Sequence, residues 1–561
     1  MISNIFFLMM ISLSVLNGKT IYAMDQDSSD NRTTREIETF KEPFYCPYKS
    51  YEQNNQGGPF GYFADSRDLR DPQNSQYEFL GYKINLPFGI ASGPLINSKF
   101  VEAAFRYNYS LSVYKTVRTR YYPCHQYPNI IPVTVDGDLT FEKASKGLIM
   151  DRDFTFPAAI TNSFGVPSQN PKIWQPDMKR AVESAGIGQI MIASYQGTDD
   201  GTGIDDFVED WKRGAKLVKE TGAHIVELNL SCPNEGKKTL LCHDSELVYR
   251  ICTEVKKILN DSPIILKLAY FHDENELRTF VSQLSDVVQG FAVINTIPAE
   301  VRKEDGSHAL PGRLSSGICG KAIKWAGLDM VRRIKKLRDE LKKNFVIIGV
   351  GGVTTPSDYN EYRQAGADAV MCATGAMWNP MLAQEIKKQE IVKQLHTIDV
   401  IQHGSFTLKS GASSSYYIDM RRIISYPAIM HLIIEHIWHL LQPLEYDCIC
   451  GVPYASLSIA TGVSLFHNIP MIMRRKEAKN YGTQKKIEGI YTPGSRCIVI
   501  EDVITTGQSI METITDLEAE GLSVHDIIVI VDRMQRGKKF CEEKGYRVHS
   551  LFTLSDLTFQ P

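Results

Sequence analysis

From about Leu86 onward the chain alternates short apolar runs with longer amphipathic stretches, a rhythm that predicts repeated strand–helix units. Nine runs read as strands: Pro87–Ser92, Leu111–Val117, Pro157–Asn162, Gln189–Ser194, His224–Leu230, Pro263–Ala269, Phe291–Thr296, Phe345–Gly349 and Ala369–Thr374. Pro157–Asn162 follows Val117 across a Pro-, Asp- and Tyr-rich segment with no good helix, so it is assigned to an excursion after the second strand. The other eight have room for crossover helices such as Ile204–Thr221 and Asp244–Leu259, and eight is the number a (β/α)₈ barrel requires. The pattern ends near Ile386. A second α/β unit then has strand-like runs at Tyr446–Val452, Pro470–Arg474, Arg496–Ile500 and Ile527–Val531, with helical stretches at Ala428–Leu441 and Ser509–Glu520.

The expected organisation is therefore an apolar N-terminus (1–23), a polar extension (24–80), a TIM barrel (81–386), a charged helix-prone linker (387–397) and a parallel-sheet α/β domain (398–561). Residues 24–80 are rich in Gly, Asn, Tyr and charge and lack periodicity. They read as poorly ordered loops rather than core.

Composition changes this picture little. An apolar fraction of 43% suits a globular protein, and a net charge of −3 gives no pull toward nucleic acid or anionic membranes. The eleven cysteines show no CxxC pair and no metal-ligand spacing, which points to free thiols and no metal site. Cys372, Cys448, Cys450 and Cys497 fall in apolar runs, where cysteine acts as a small core residue. The N-terminus pulls the other way: Ile5–Leu16 is apolar and Ile21-Tyr22-Ala23 is cleavage-like, but no Lys or Arg precedes the run. It is shorter than the roughly 20 residues a membrane span needs. A mis-called start with Met24 as initiator, an export signal and a membrane-proximal anchor are the three readings.

Polar residues collect at the C-terminal ends of the barrel strands, where such barrels place their chemistry: Ser92, Lys115, Asn229, Cys232, Lys267, Asn295, Thr296, Gly351, Gly352 and Thr374. Any one alone would be an ordinary loop-edge residue. Together they describe an amide-rich, basic pocket suited to a planar, anionic, hydrogen-bonding ligand.

These residues sit in Gly-Tyr-Lys-Ile-Asn-Leu-Pro-Phe-Gly-Ile-Ala-Ser-Gly (81–93), Tyr-Lys-Thr (114–116), Thr-Asn-Ser-Phe-Gly (161–165), Asn-Leu-Ser-Cys-Pro-Asn (229–234), Leu-Lys-Leu (266–268), Ile-Asn-Thr (294–296) and Gly-Val-Gly-Gly (349–352). The series resembles dihydroorotate dehydrogenases over about 300 residues. The resemblance implies FMN at the barrel top, with Ser92, Lys115, Lys267 and Thr296 lining its site and Lys115 and Lys267 against the isoalloxazine. Gly351, Gly352 and Thr374 would surround its phosphate. It implies that Lys115, Asn162, Asn229, Asn234, Asn295 and Thr296 hold dihydroorotate and that Cys232 is the base. Cysteine there resembles the soluble class; the membrane-associated class carries serine. Dihydropyrimidine dehydrogenases share Asn-Leu-Ser-Cys-Pro, so another dihydropyrimidine stays open as substrate.

In the second unit, Glu501-Asp502 ends an apolar strand and Thr505-Thr506-Gly507-Gln508-Ser509 opens a helix. Backbone N–H groups at such a helix start make a phosphate site. Upstream, Met473-Arg474-Arg475-Lys476-Glu477-Ala478-Lys479-Asn480-Tyr481-Gly482 is a basic run suited to neutralising pyrophosphate. With Gly404–Gly411 and Asp532-Arg533, these residues resemble orotate phosphoribosyltransferase, particularly the domain in uridine monophosphate synthase. The resemblance implies that Lys409, Arg475, Lys476 and Lys479 bind the diphosphate of phosphoribosyl diphosphate (PRPP), Lys479 acting in catalysis. Glu501 and Asp502 would bind ribose, Thr505 to Ser509 the 5′-phosphate, and Arg533 with Thr505 would face orotate. Mg²⁺ accompanying PRPP and a homodimer, in which the basic loop crosses the interface, are also implied. Asn480 replaces the usual acidic residue and His403 a common aromatic.

One family makes orotate and the other consumes it, so the chain is expected to be a bifunctional pyrimidine-biosynthesis enzyme. No orotidylate decarboxylase-like stretch follows, and a complete uridine monophosphate synthase is not expected. PRPP is intracellular, which favours a cytoplasmic location over a secreted binding protein. A metabolite sensor is the rival class; intact Cys232, Lys115, Lys479 and acidic pair speak against it. Fumarate, quinone, oxygen and an iron–sulfur partner all stay open as electron acceptor.

Overall fold

The computed structural model describes residues 42–70, 77–231, 240–407, 413–476 and 486–558. Eight parallel strands close into a barrel: β1 (Phe88–Ile90), β2 (Leu111–Val117), β3 (Ile190–Tyr195), β4 (Ile225–Asn229), β5 (Ile264–Leu268), β6 (Gly290–Val293), β7 (Val346–Val350) and β8 (Ala369–Cys372). Each strand pairs with its sequence neighbours, and β8 pairs with β1. Buried on both faces, such strands read as continuous apolar runs. Most of the helices between them start on a side-chain cap. For example, the Asp244 side chain accepts from Leu247 N at 3.0 Å and starts Ser245–Leu259, which buries Val248, Ile251, Cys252, Val255 and Leu259.

Leu111, Val113, Ile190, Ile192, Ile225, Ile265, Ile348 and Ala369 form one apolar interior cluster, joined by Phe79 and Ile84 of a hairpin that precedes β1. Strand alternation then carries the inward face upward from Val113 to Lys115, from Ile192 to Ser194, from Ile225 to Glu227 and Asn229, and from Ile265 to Lys267. The lower barrel is therefore hydrocarbon and the upper barrel polar. Residues 160–162, read as an excursion, lie outside the barrel in a three-stranded antiparallel sheet with Ile297–Ala299 and Ser316–Cys319.

One feature differs from the sequence reading. Residues 42–70 are not poorly ordered loops: Phe44, Tyr45, Tyr51, Phe63 and Leu69 belong to the main core. The segment packs through individual aromatic anchors, which leave no periodic signature. Phe44 and Phe63 stack at 4.3 Å between centroids, and buried Asn54 ties the loop by accepting from Cys46 N at 2.8 Å and donating to Cys46 O at 3.0 Å. Phe44→Ala is expected to cost about 3–5 kcal/mol, seen as a lower first transition in a thermal melt. The helix-prone stretch 387–397 is part of helix α1 (Leu382–Thr397). Its Leu382, Ala383 and Ile386 pack in the barrel core, and its Ile391, Val392 and Leu395 in the core that follows.

That second core surrounds a six-stranded sheet of β9 (Cys448–Gly451), β10 (Met471–Arg474), β11 (Ile487–Glu488), β12 (Arg496–Ile504), β13 (Ser523–Asp532) and β14 (Arg547–Thr553), ordered β11-β10-β9-β12-β13-β14. All pairs are parallel except β10–β11. Alternation sends Ile449, Ile498 and Ile500 to one face, against α2 (Pro427–Leu441) and α3 (Ala455–His467). It sends Cys448, Cys450, Cys497 and Val499 to the other, against α4 (Gln508–Ala519). Those cysteines and Cys372 are buried free thiols, as the apolar context implied. Among the described residues no helix is long and apolar enough to cross a membrane.

Candidate active sites

A cavity opens at the C-terminal end of the barrel. It is lined by Ser92, Lys115, Asn162, Asn229, Lys267, Asn295, Thr296 and Thr374, all singled out from the sequence. Their convergence follows from the inward alternation of β2, β4 and β5 and from the antiparallel sheet that brings Asn162 across the barrel mouth. Cys232 and Asn234 lie outside the described residues, but their tether is visible. Ser231 is buried, and Asn295 Nδ2 donates to both its hydroxyl and its carbonyl at 3.1 Å. Asn229 Nδ2 donates to Gln196 Oε1 at 3.2 Å.

Both lysines are buried. Burial pulls the Lys267 ammonium down to about 8, against the opposing pull of the Glu227 carboxylate. The Thr296 hydroxyl is buried and lacks a hydrogen-bond partner among the described residues, an arrangement that awaits a ligand. The wall beside Lys115 is a chain of hydroxyls: Ser92 Oγ lies 2.9 Å from Thr116 Oγ1, which lies 3.0 Å from Ser194 Oγ.

Behind the cavity, Gly352 has φ +70°, and a Cβ there would stand 2.6–2.8 Å from Lys324, including its backbone nitrogen. Only glycine lets the loop after β7 lie this close to the start of helix Lys324–Leu341. Gly351 precedes it, and its carbonyl accepts from Tyr362 OH at 2.7 Å.

The sequence reading missed Tyr45, Ile130, Cys319 and Met377, which also line the cavity. Tyr45 comes from the segment read as an extension, and its ring meets Phe164 edge-on at 5.8 Å. Cys319 accepts from Thr374 Oγ1 at 3.4 Å, and burial raises its thiol to about 11. Neither carried a local signal.

In the second domain, Glu501 and Asp502 lie within the C-terminal half of β12. Glu501 is buried, takes a hydrogen bond from Ser456 Oγ at 3.3 Å and another from Asp502 N at 3.1 Å. Burial first, and the Asp502 carboxylate second, hold its carboxyl well above the usual range. Ser456, at the start of α3, was not anticipated. The Thr505–Ser509 turn runs into α4 with Gly507 at φ +79°, where a Cβ would meet Cys541 Sγ at 3.0 Å and Gly537 O at 3.1 Å. Thr505 O accepts from Gly537 N at 3.0 Å, and Thr506 Oγ1 from Gln508 N at 3.4 Å.

Arg475 pairs with Glu488 at 2.7 Å, and Lys476 Nζ lies 5.7 Å from the Tyr454 ring centre. Arg533, just past β13, is buried, and its Nη2 donates to Ser414 Oγ at 2.8 Å and Tyr416 O at 3.2 Å. These acceptors belong to strand Ser413–Ile418 of the hairpin with Ile401–Thr407, so the guanidinium joins hairpin to sheet. Lys409, Lys479 and Asn480 lie outside the described residues. No group of three or more His, Cys, Asp or Glu that could hold a metal ion occurs among the described residues.

Comparison with known proteins gives matches to both halves. A family model for dihydroorotate dehydrogenase matches residues 142–395. Dihydroorotate dehydrogenase of Dictyostelium discoideum is 34% identical over 362 residues, 61% of this chain and 96% of that protein. Orotate phosphoribosyltransferase of Chlamydia felis is 40% identical over 176 residues, 31% of this chain and 85% of that protein. Uridine 5′-monophosphate synthase of Bos taurus is 44% identical over 177 residues, 31% of this chain but only 37% of that protein.

Proposed function

The chain belongs to the dihydroorotate dehydrogenase family and, through its C-terminal third, to the orotate phosphoribosyltransferase family, and from that premise we propose two consecutive reactions in one polypeptide. The barrel oxidises dihydroorotate to orotate. The second domain then transfers phosphoribosyl from PRPP to orotate, giving orotidine 5′-phosphate and pyrophosphate. The observation that carries this reading is the convergence of two buried lysines with Asn162, Asn229 and Asn295 at the barrel mouth, in a chain that also holds an acidic pair, buried Glu501 and half-buried Asp502, before a helix start.

The cofactor proposed for the barrel is FMN. The residues fit it: Thr296 offers an unpaired buried hydroxyl, Lys115 and Lys267 offer cations to an electron-rich ring, and the Gly351–Gly352 loop and Thr374 are suited to its phosphate. When bound, FMN supplies the two-electron acceptor for the oxidation. The chain's own residues do the rest. The Asn162, Asn229, Asn234 and Asn295 amides both donate and accept, as a pyrimidine ring demands. Cys232 takes a proton from one ring carbon as hydride leaves the adjacent carbon. Buried Lys115 and Lys267 favour electron-rich partners in a site of low dielectric. Gly352→Ala is expected to yield colourless protein, read as the flavin-to-protein absorbance ratio after purification.

In the second domain, Glu501 and Asp502 accept from the ribose hydroxyls, and the turn of Thr505, Thr506, Gly507, Gln508 and Ser509 presents backbone N–H groups to the 5′-phosphate. Lys409, Arg475, Lys476 and Lys479 offset the charge of the departing pyrophosphate, together with Mg²⁺ brought by PRPP. A homodimer completes this basic loop across its interface. The test is an anaerobic visible spectrum recorded while L-dihydroorotate is added, followed by PRPP and Mg²⁺. Bleaching of the flavin bands with orotate appearing, then orotate consumption on adding PRPP, is the expected result. A flavin that stays oxidised overturns the barrel assignment; orotate that persists overturns the transferase.

A further inference from the structure

One buried ionisable group has no part in the chemistry above. Glu227 stands on β4, two residues before Asn229, and is 2% exposed. Its Oε1 has no hydrogen-bond partner among the described residues. An ionised carboxylate is costly to bury without compensation, so its surroundings matter.

Glu227 is in register with Ser194 of β3 on one side and Ile265 of β5 on the other, and Lys267 of β5 is in register with Asn229. Alternation points Glu227 and Lys267 into the barrel in successive positions, Glu227 beneath the cavity that Lys267 lines. Ser194 stands beside Glu227 on the neighbouring strand and faces the same interior. It also begins the hydroxyl chain through Thr116 to Ser92, and Ser92 and Thr116 line the same cavity. The carboxylate thus stands one strand away from Lys267 on one side and from the first hydroxyl of that chain on the other. The charged groups arrayed around Lys267 are Glu227 on β4 and Lys115 on β2, while Asn229 and Asn295 are neutral. Burial raises Glu227 and lowers Lys267, and each opposes the shift of the other.

We infer that Glu227 is a positioning residue for the flavin: it keeps Lys267 protonated at the cavity floor. This rests on the flavin reading of the barrel.

The test is FMN binding to flavin-stripped full-length protein between pH 6 and 10, followed by quenching of FMN fluorescence. Wild-type affinity should fall as pH rises through about 8, where Lys267 loses its proton. In Glu227→Gln the midpoint should move to lower pH by about 1–3 units, the usual effect of deleting a close opposite charge. Lys267→Met should remove the step. An unshifted midpoint in Glu227→Gln, or a step that survives Lys267→Met, overturns the inference. Should Glu227→Gln not fold, the wild type and Lys267→Met still decide, since identical profiles overturn it. Should the chain bind no FMN at any pH, it is the flavin reading that fails. Glu227 is then judged by NMR titration of ¹³C-labelled lysine: the Lys267 midpoint must move with Glu227→Gln, and one that does not move overturns the coupling.

Discussion

Cys232→Ala is expected to slow dihydroorotate oxidation by about 10²–10⁴-fold, the usual contribution of a positioned general base, while flavin content and transferase activity stay at wild-type levels. The reasoning starts from the tether. Ser231 is buried and held by Asn295 Nδ2 at 3.1 Å, and Leu230 N donates to Lys267 O at 3.2 Å. On the far side of the loop, Cys242 N donates to Leu230 O at 3.2 Å. The chain is thus fixed at the barrel mouth up to the residue before Cys232. A thiol with an unperturbed pKa of about 8.5 is poised near neutrality for work as a base.

The pH dependence follows from signs alone. A base must be deprotonated, so the rate rises with pH through the Cys232 titration. Lys267 must stay protonated, so the rate falls above about 8. The profile is a narrow bell, and Glu227→Gln should narrow it further from the alkaline side. Cys232→Ser keeps the shape of the side chain but places its ionisation far above the working range, so its rate should climb with pH and level off only where Lys267 loses its proton, at about 8. Anaerobic stopped-flow reduction measures all three. Wild-type reduction rates in Cys232→Ala would remove Cys232 from the mechanism.

Much of the barrel was legible because buried parallel strands are written as apolar runs, such as Ile264–Leu266, that lead into a polar residue with chemistry to do, here Lys267. The same logic picked out Lys115, Asn229 and Lys267, since polar side chains at strand ends have few structural excuses. Legibility failed where packing is aperiodic or pairing is remote. Phe44 and Phe63 are adjacent in space but lie in a stretch without rhythm. Ile297–Ala299 and Ser316–Cys319 are too short to announce themselves, yet the pairing of Ser316–Cys319 with Ile160–Asn162 carries Cys319 and Asn162 to the cavity. The hairpin Ile401–Thr407 with Ser413–Ile418 is largely exposed and polar, so it shows no apolar alternation. Strand β14 was passed over because Arg547, His549 and Ser550 dilute its apolar positions.

In the second domain the largest effect is expected from the acidic pair. Hydrogen bonds to a charged group contribute about 1.5–3 kcal/mol each, and each 1.4 kcal/mol is about tenfold in rate. Glu501→Ala with Asp502→Ala should therefore reduce kcat/KM for PRPP by about 10²–10⁴-fold, with dihydroorotate oxidation untouched. The two residues are not equivalent. Glu501 is buried and its carboxyl is held well above the usual range, by burial first and by Asp502 second, whereas Asp502 is only partly buried. Glu501→Gln imitates the protonated form and should cost less activity than Asp502→Asn. It should also stabilise the domain. A carboxyl whose folded pKa lies above its unfolded value favours the folded state at low pH, and that contribution is lost as pH rises from the unfolded value to the folded one. Glutamine carries no such penalty, so Glu501→Gln should melt at a higher temperature than wild type at pH 7, with the gap closing toward pH 4. Equal losses of transferase activity in the two single variants, with unchanged melting, would mean that the buried carboxyl is ionised and binds ribose on the same terms as its neighbour.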